Sequence, residues 1–219
     1  MELKRQIVIF GAGPGLSQSI ARLFGKQGFS ISLVARNEQR LQTLTGELND
    51  AGISASYKVC DMADEQSLTT VMQQYEAEGM PDVVLFNAFM FFAGGFDQET
   101  WTHLKEEFDI DFGAAFNIIK RWLPLYREAG RGKLFFTGGG LALYPMDEYL
   151  GVSVTKAALR AMVYAAAKEA EGTDVHIATV TIKGNIGGED PKYAPDEIAK
   201  EYWTLYEQQP AAFEIERIY

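Results

Sequence analysis

The sequence predicts a doubly wound α/β fold, in which helices cover both faces of a parallel sheet of about seven strands. Short β-rich runs alternate with segments whose apolar residues recur at helical spacing, a pattern typical of strands joined by crossover helices. The β-rich runs are mostly continuous in hydrophobicity, as expected of strands buried on both faces. A glycine-rich segment joins the first strand to the first helix, which favours the same fold.

Each predicted element has its own segment of the chain. The predicted strands are, in order, QIVIF, SISLVA, SASYKVC, DVVLF, KLFFT, VHIATVTI and, near the end, FEIERI. The predicted helices are LSQSIARLFGKQG, NEQRLQTLTGELNDA, DEQSLTTVMQQYEAEG, a long span over 97–129, VTKAALRAMVYAAAKEAEG and PDEIAKEYWTLYEQ. No linker or repeat separates these segments, so residues 1–219 are expected to form a single domain.

The composition argues against a nucleic-acid partner, an internal disulfide and a zinc-type metal site. The 30 acidic and 20 basic residues give a net charge of −10, which repels nucleic acid. Cys60 is the only cysteine, which excludes an internal disulfide and fits a reducing compartment. With only His103 and His176 beside it, no zinc-type ligand cluster and no metal site is expected.

The apolar segments are too short to target or anchor the chain. The N-terminal strand segment has about five apolar residues in a row, fewer than the roughly 7 to 15 of a signal-peptide core. The run VVLFNAFMFFAGGF at 83–96 is interrupted by Asn87 and is shorter than the roughly 20 residues of a membrane-spanning helix. The expectation is a cytoplasmic protein without a membrane partner.

The first crossover has the pattern of a phosphate-binding turn. The segment GAGPGLSQSIA places Gly11, Gly13 and Gly15 between the first strand and the first helix. Glycines let a ligand approach the backbone closely, and the helix N-terminus presents free N–H groups and a positive dipole end. This placement favours a dinucleotide, while a tight turn without a ligand is the alternative interpretation.

The end of the second strand indicates which dinucleotide is bound. An NAD or FAD site usually has an acidic residue here to accept the ribose 2′-hydroxyl, but this chain has Ala35 and Arg36. A guanidinium suits a 2′-phosphate, so NADP(H) is favoured over NAD(H) and over FAD. The alternative is that Arg36 is a solvated base near the start of a helix.

These motifs resemble those of the short-chain dehydrogenase/reductase family over nearly the whole chain. The family's TGxxxGxG motif corresponds to FGAGPGLS, with Phe10 for the threonine and Ser17 for the last glycine. The resemblance implies a single-domain Rossmann fold. It also implies that Asp61 meets the adenine, that Asn87 corresponds to the second asparagine of NNAG, and that Lys156, the lysine of YxxxK, holds the nicotinamide ribose. The cofactor-binding residues implied in this way, together with the turn, are Gly11, Gly13, Gly15, Leu16, Arg36, Asp61, Met62, Asn87, Ala88, Lys156, Gly184 and Ile186.

The catalytic half of the family pattern is missing. Val152 stands where the family has its proton-donating tyrosine, and Gly139 stands where it has the serine that polarises the carbonyl. Asp111 stands where it has an asparagine. Neither valine nor glycine has a side chain that donates a hydrogen bond. Activity by the family's usual mechanism is therefore expected to be slight.

Four residues are candidates to replace the missing donors. Tyr149 lies seven residues before Lys156, about 10 Å along a helix. It enters the pocket if Gly151 breaks the turn and the helix starts later, and otherwise it is a surface or interface tyrosine. Asp111 could act as an acid if burial raised its pKa, although a salt bridge with Lys156 is equally consistent. Packing is the expected role of Ser153, and a buried strand position that of Thr137. Lys156, Tyr149 and Asp111 are therefore the candidate catalytic residues.

Four further segments bear on substrate and assembly. The aromatic loop FMFFAGGF is interpreted as an apolar substrate pocket, as core packing or as a subunit contact. By resemblance, the helices around 104–129 and 152–171 form a homodimer or homotetramer. The segment IKGNIGGEDPKYAPDE is short for the family's substrate cover, which implies an open site or a small substrate.

Two hypotheses about function follow. The first is an atypical NADP(H)-dependent oxidoreductase that acts on a small or apolar carbonyl or alcohol. The second is a catalytically silent dinucleotide-binding protein that acts as a sensor or scaffold. A site for S-adenosylmethionine or a flavin is a third possibility, which Arg36 and Lys156 disfavour.

Overall fold

The computed structural model describes residues 5–219 and contains one seven-stranded sheet. Its strands are β1 (Gln6–Phe10), β2 (Ser30–Ala35), β3 (Ala55–Val59), β4 (Val83–Phe86), β5 (Gly132–Gly139), β6 (Val175–Ile182) and β7 (Glu216–Ile218). They lie in the order β3-β2-β1-β4-β5-β6-β7, and every neighbouring pair is parallel. The predicted fold class is confirmed.

Helices connect the strands and cover both faces of the sheet. They are α1 (Leu16–Lys26), α2 (Glu38–Asp50), α3 (Glu65–Glu78), α4 (Trp101–Phe108), α5 (Ala114–Ala129), α6 (Leu150–Glu169) and α7 (Pro195–Glu207). None of the helices within residues 5–219 is long and apolar enough to cross a bilayer.

The core consists of two apolar layers, one on each face of the sheet. Successive residues of β1 alternate between them: Val8 and Phe10 face α3, α5 and α6, whereas Ile7 and Ile9 face α1, α2 and α7. Because helices cover both faces, both sets of side chains must be apolar, which explains the continuous hydrophobic strands of the sequence.

Several elements differ from their predicted form. The strand predicted over FEIERI is limited to β7, and α6 begins four residues before its predicted start. The span 97–129 is not one regular helix, because a π-helical segment over Asp109–Gly113 lies between α4 and α5. The strand predicted over SASYKVC shortens to β3, which lies at the edge of the sheet and is only partly buried. An edge strand has one neighbour instead of two, so its ends are less strongly held in the ladder.

The order of the strands creates a crevice at the carboxyl end of β1. The chain runs from β1 to β2 on one side and returns to β4 on the other, so helices leave this point in opposite directions. Ligands of doubly wound sheets bind at such a point. The N–H groups of Gly11 and Ala12 both donate to the carbonyl of Val34, at 2.9 and 3.0 Å, and the Asn87 N–H donates to the carbonyl of Phe10 at 2.8 Å.

Candidate functional site

Gly11 fixes the path of the backbone at the crevice. Its φ is 81°, a left-handed conformation that favours glycine. A Cβ at this position would overlap the backbone of Ala88 and lie 2.6 Å from the carbonyl carbon of Asn87. The turn after β1 is therefore packed directly on the chain that leaves β4, and only glycine permits this approach.

Gly13 and Gly15 leave open space at the start of α1. Gly15 is the N-cap residue of α1, with φ 85° and no side-chain cap. A Cβ at Gly13 or at Gly15 would meet nothing within 4 Å. The first N–H groups of α1 have no intrahelical partners and face this space, as an anionic ligand requires. Leu16 follows with a buried side chain, so it offers a ligand only its backbone.

A chain of side-chain hydrogen bonds joins the turn to β4. The Asn87 amide Nδ2 donates to Ser17 Oγ at 2.8 Å, and Ser17 Oγ donates to the carbonyl of Gly11 at 3.2 Å. Ser17 replaces a glycine of the family motif, and its structural role was not predicted from the sequence. The buried hydroxyl gives the amide of Asn87 a fixed orientation at the crevice.

Arg36 lies at the carboxyl end of β2 with its side chain exposed. No hydrogen bond or ion pair holds its guanidinium within the part of the chain that the structure describes. The next residue, Asn37, instead caps α2 by accepting from the N–H of Arg40 at 2.9 Å. The guanidinium of Arg36 is therefore available to an anion at this edge of the crevice.

Asp61 and its neighbours line the adjacent edge, after β3. The Asp61 side chain accepts from the N–H of Ala63 at 3.1 Å, and its backbone N–H donates to Ser67 Oγ at 3.1 Å. Asp61 is exposed, whereas Met62 is partly buried against the core. Ala88 after β4 is buried. These residues frame the crevice around the open start of α1.

Lys156 is buried in α6 and points toward the end of β5. The residue is 7% exposed, and its Nζ donates to the carbonyl of Thr137 at 3.0 Å. The same Nζ lies 5.0 Å from the centre of the Phe89 ring. Burial lowers the pKa of Lys156, and the negative charge of Asp111 opposes this shift. The ammonium group has two further N–H donors for a ligand.

Gly139 and Val152 lie next to this lysine without a polar group. A Cβ at Gly139 would lie 3.5 Å from Cγ of Lys156, an ordinary contact distance. Val152 is 5% exposed and lies one turn before Lys156 in α6. The two positions that would place hydroxyl groups near Lys156 therefore contribute only hydrogen and aliphatic carbon.

Comparison with known proteins identifies the family. The sequence model of the short chain dehydrogenase family matches residues 5–185, which includes the glycine turn, Arg36, Asn87 and Lys156. The chain belongs to the short-chain dehydrogenase family. It is 26% identical over 179 residues to an uncharacterised oxidoreductase of Staphylococcus epidermidis, a match that covers 80% of this chain and 75% of that protein.

Solved structures of the family agree with the fold. A short-chain dehydrogenase from Rhodopseudomonas palustris superposes with a TM-score of 0.87 at 25% identity and covers 98% of this chain and 97% of its own. A metagenomic short-chain oxidoreductase in complex with NADP superposes with a TM-score of 0.88 at 22% identity, over 98% of this chain and 96% of its own. This second likeness shows the fold.

Tyr149 is not placed as a family tyrosine would be. It is the N-cap residue of α6, with φ −131° and ψ 49°, and the helix begins directly after it at Leu150. Tyr149 therefore lies just outside the helix, which begins one residue later and not after Gly151. Its ring packs 5.7 Å from that of Phe91, and its hydroxyl has no hydrogen-bond partner among residues 5–219. Tyr149 is partly exposed beside the aromatic loop.

Asp111 anchors the aromatic loop. It is fully buried in the π-helical segment, and its carboxylate accepts from the N–H of Met90 at 2.7 Å and from Thr155 Oγ1 at 3.0 Å. Burial raises the pKa of Asp111, although the positive charge of Lys156 opposes this shift. Across the described range, 5–219, no ion pair within 4.0 Å joins Asp111 to Lys156, so the salt bridge that was the alternative to a catalytic role is not formed directly. Lys156 donates to the Thr137 carbonyl instead.

Two other candidate donors have structural partners. The Thr137 hydroxyl lies 2.7 Å from the Tyr202 hydroxyl in the core, and Ser153 Oγ bonds the backbone of Met146. The interpretation of both as packing residues is confirmed.

The segment after β6 is held by a tyrosine. A Cβ at Gly184 would overlap the ring of Tyr193, and the N–H of Gly187 donates to the carbonyl of Tyr193 at 2.9 Å. Ile186 is 40% exposed and is free to border a ligand.

Proposed function

We propose that this chain is an NADP(H)-dependent oxidoreductase of atypical mechanism, which transfers hydride to or from a small or apolar carbonyl or alcohol. The observation that carries the proposal is the open turn before α1, at the same end of the sheet as the buried Lys156. Gly11 packs on Ala88, whereas space remains beyond Gly13 and Gly15. The residues therefore fit a pyrophosphate against α1.

The preference for NADP(H) rests on the end of β2. Ala35 leaves no carboxylate to accept a ribose 2′-hydroxyl, and Arg36 has an exposed guanidinium without a protein partner among residues 5–219. A guanidinium can donate two parallel hydrogen bonds to one phosphate. The structural neighbour that contains NADP is consistent with this preference.

The chain's own residues bind and orient the cofactor. The first N–H groups of α1 bind the pyrophosphate, and Arg36 binds the 2′-phosphate. Lys156, held by the carbonyl of Thr137, presents its remaining N–H groups to the nicotinamide ribose. When bound, the nicotinamide supplies or accepts the hydride. Because Gly139 and Val152 donate no proton, the proton is supplied by water, by the substrate or by Tyr149.

Calorimetric titration with NADPH and NADH tests the cofactor assignment. Arg36→Ala should weaken NADPH binding by about tenfold and leave NADH within about twofold, because only the 2′-phosphate is lost as a partner. Arg40→Ala is the matched control, since Arg40 is also exposed and its guanidinium is unpaired in the described structure. An equal loss for both cofactors would contradict 2′-phosphate recognition.

A catalytically silent NADP(H)-binding protein is the second candidate, and the absence of polar side chains at Gly139 and Val152 favours it. NADPH oxidation over a panel of small and apolar carbonyls separates the two candidates. Turnover that disappears in Tyr149→Phe identifies Tyr149 as the proton donor. Turnover that survives this change points to water or the substrate. Tight NADPH binding without turnover across the panel supports the silent protein.

We further propose that the chain forms a homodimer or homotetramer through α5 and α6. Phe112 and Phe116 stack at 6.3 Å, and Phe116 is 44% exposed. Leu125 and Val154 are also exposed at 38% each. Apolar side chains on the outer surface of these helices are consistent with a covered face, and sedimentation equilibrium measures the mass of the assembly.

A further inference from the structure

Three potential metal ligands meet along one side of α4 and the residues just before it. Glu99, His103 and Glu107 are spaced four residues apart, and Thr100 between them is the N-cap of the helix. One ligand atom from each of the three residues can be chosen so that all lie within 4.8 Å of one another. The prediction of no metal site weighed only cysteine and histidine as ligands and did not consider the two glutamates.

Glu107 carries the argument for a ligand, because its carboxylate has no hydrogen-bond partner in the described structure. The residue is fully buried, and neither Oε1 nor Oε2 has a hydrogen-bond partner. The side chain of Glu99 is 4% exposed, and its Oε2 is also without a partner. Glu99 Oε1 lies 2.9 Å from Nδ1 of His103. Two buried carboxylates thus lie near one imidazole, and only that of Glu99 is hydrogen-bonded to it.

The carboxylate of Glu107 packs closely against the backbone of α6. A Cβ at Gly151, in the first turn of α6, would overlap Oε2 of Glu107, so only glycine lets the helix approach this carboxylate. The ring of Phe92 lies 4.5 Å from that of His103 and covers it. Residues from the aromatic loop, from α4 and from α6 therefore enclose the three side chains.

An unpaired buried carboxylate costs several kcal/mol unless a proton or a cation neutralises it. Two carboxylates and an imidazole match a divalent transition metal, whereas Mg²⁺ and Ca²⁺ favour oxygen ligands alone. Three protein ligands also leave a fourth position for water, as in many zinc sites. We propose that Glu99, His103 and Glu107 bind a divalent transition-metal ion of the Zn²⁺ type.

Titration of the metal-free full chain with Zn²⁺ tests this site. The wild type should bind one Zn²⁺ per chain, and Glu107→Gln should weaken the affinity at least about tenfold, because it removes one charged ligand without changing the volume. Glu106→Gln is the matched control, since it makes the same change one residue away on the exposed side of α4. It should leave the affinity within about twofold.

A second measurement reports on binding through stability. Zn²⁺ should raise the Tm of the wild type and of Glu106→Gln but not that of Glu107→Gln. His103→Gln is a further ligand variant, at a side chain that is 27% exposed and so tolerates substitution. It should also lose Zn²⁺ binding, even if Glu107→Gln fails to fold.

Several outcomes would overturn the proposal. These are no Zn²⁺ binding to the wild type, Zn²⁺ binding that Glu107→Gln and His103→Gln both retain, or equal losses in Glu107→Gln and Glu106→Gln. A Tm that rises in Glu107→Gln with no response of the wild type to Zn²⁺ would show that a proton, not a metal, neutralises Glu107. NADPH titrations of the same variants test the cofactor site separately.

Discussion

The turn after β1 and the start of α6 lie at the same end of the sheet but differ in what they retain. The turn keeps a glycine that nothing else can replace, open space before α1 and a fixed Asn87. Around Lys156, by contrast, the positions for two hydroxyl groups hold Gly139 and Val152. The first region thus keeps backbone groups and an oriented amide that a ligand could contact, whereas the second lacks side-chain hydroxyl groups at Gly139 and Val152.

Restoring the missing hydroxyl groups is the change with the largest expected effect. The double variant Gly139→Ser, Val152→Tyr should raise kcat for carbonyl reduction on the order of 10²-fold or more, because it adds a proton donor and an oxyanion donor beside Lys156. A Cβ at Gly139 fits without a clash. Gly139→Ala, Val152→Phe is the matched control, since it adds similar bulk at both positions without a hydroxyl group. Steady-state NADPH oxidation is the measurement, and a folded double variant with unchanged kcat would show that the missing hydroxyl groups do not limit turnover.

Adding one methyl group to the turn should have the next largest effect. Gly11→Ala should lower the free energy of unfolding by about 2 to 4 kcal/mol, because its φ is positive and its Cβ overlaps Ala88. Gly13→Ala should change it by less than about 0.5 kcal/mol, since its Cβ meets nothing within 4 Å. Urea unfolding followed by circular dichroism compares the two. Equal losses of unfolding free energy in the two variants would mean that the contact with Ala88 is not the reason why position 11 needs glycine.

Replacing Asp111 by the family's asparagine should have the smallest effect. In Asp111→Asn the side-chain oxygen can still accept from the N–H of Met90, and the amide can donate to Thr155 Oγ1. The free energy of unfolding should change by less than about 1 kcal/mol, and any turnover should persist. Unfolding and turnover assays on one preparation measure both. Loss of turnover in a folded variant would identify Asp111 as a proton donor.

The features that could be predicted from the sequence are those set by residues close together along the chain. The strand, the glycine turn and α1 follow one another directly, so their arrangement could be predicted from local pattern alone. The position of Tyr149 could not be predicted in this way, because it depends on where α6 begins. An isolated β-bridge pairs Tyr149 with the distant Gly94 just before that start. The bond from Asn87 to Ser17 joins residues 70 positions apart, and only the packing of β1 beside β4 brings them together.

The cluster around His103 shows the same limit. The spacing of four residues was visible in the sequence and is typical of one face of a helix. What makes Glu107 unusual is its burial, which comes from Gly151 more than 40 positions later in the chain. Charged residues at helical spacing are usually solvated, so the spacing alone did not indicate a ligand site.

Thr137 links the two layers of the protein through a single residue. Its carbonyl oxygen holds Lys156 of α6, while its hydroxyl holds Tyr202 of α7 on the opposite side of the sheet. A substitution that shifts α7 can therefore displace the lysine without touching the crevice. Selection for faster turnover should accordingly yield changes in α7, on the reverse side of the sheet, as well as around the crevice.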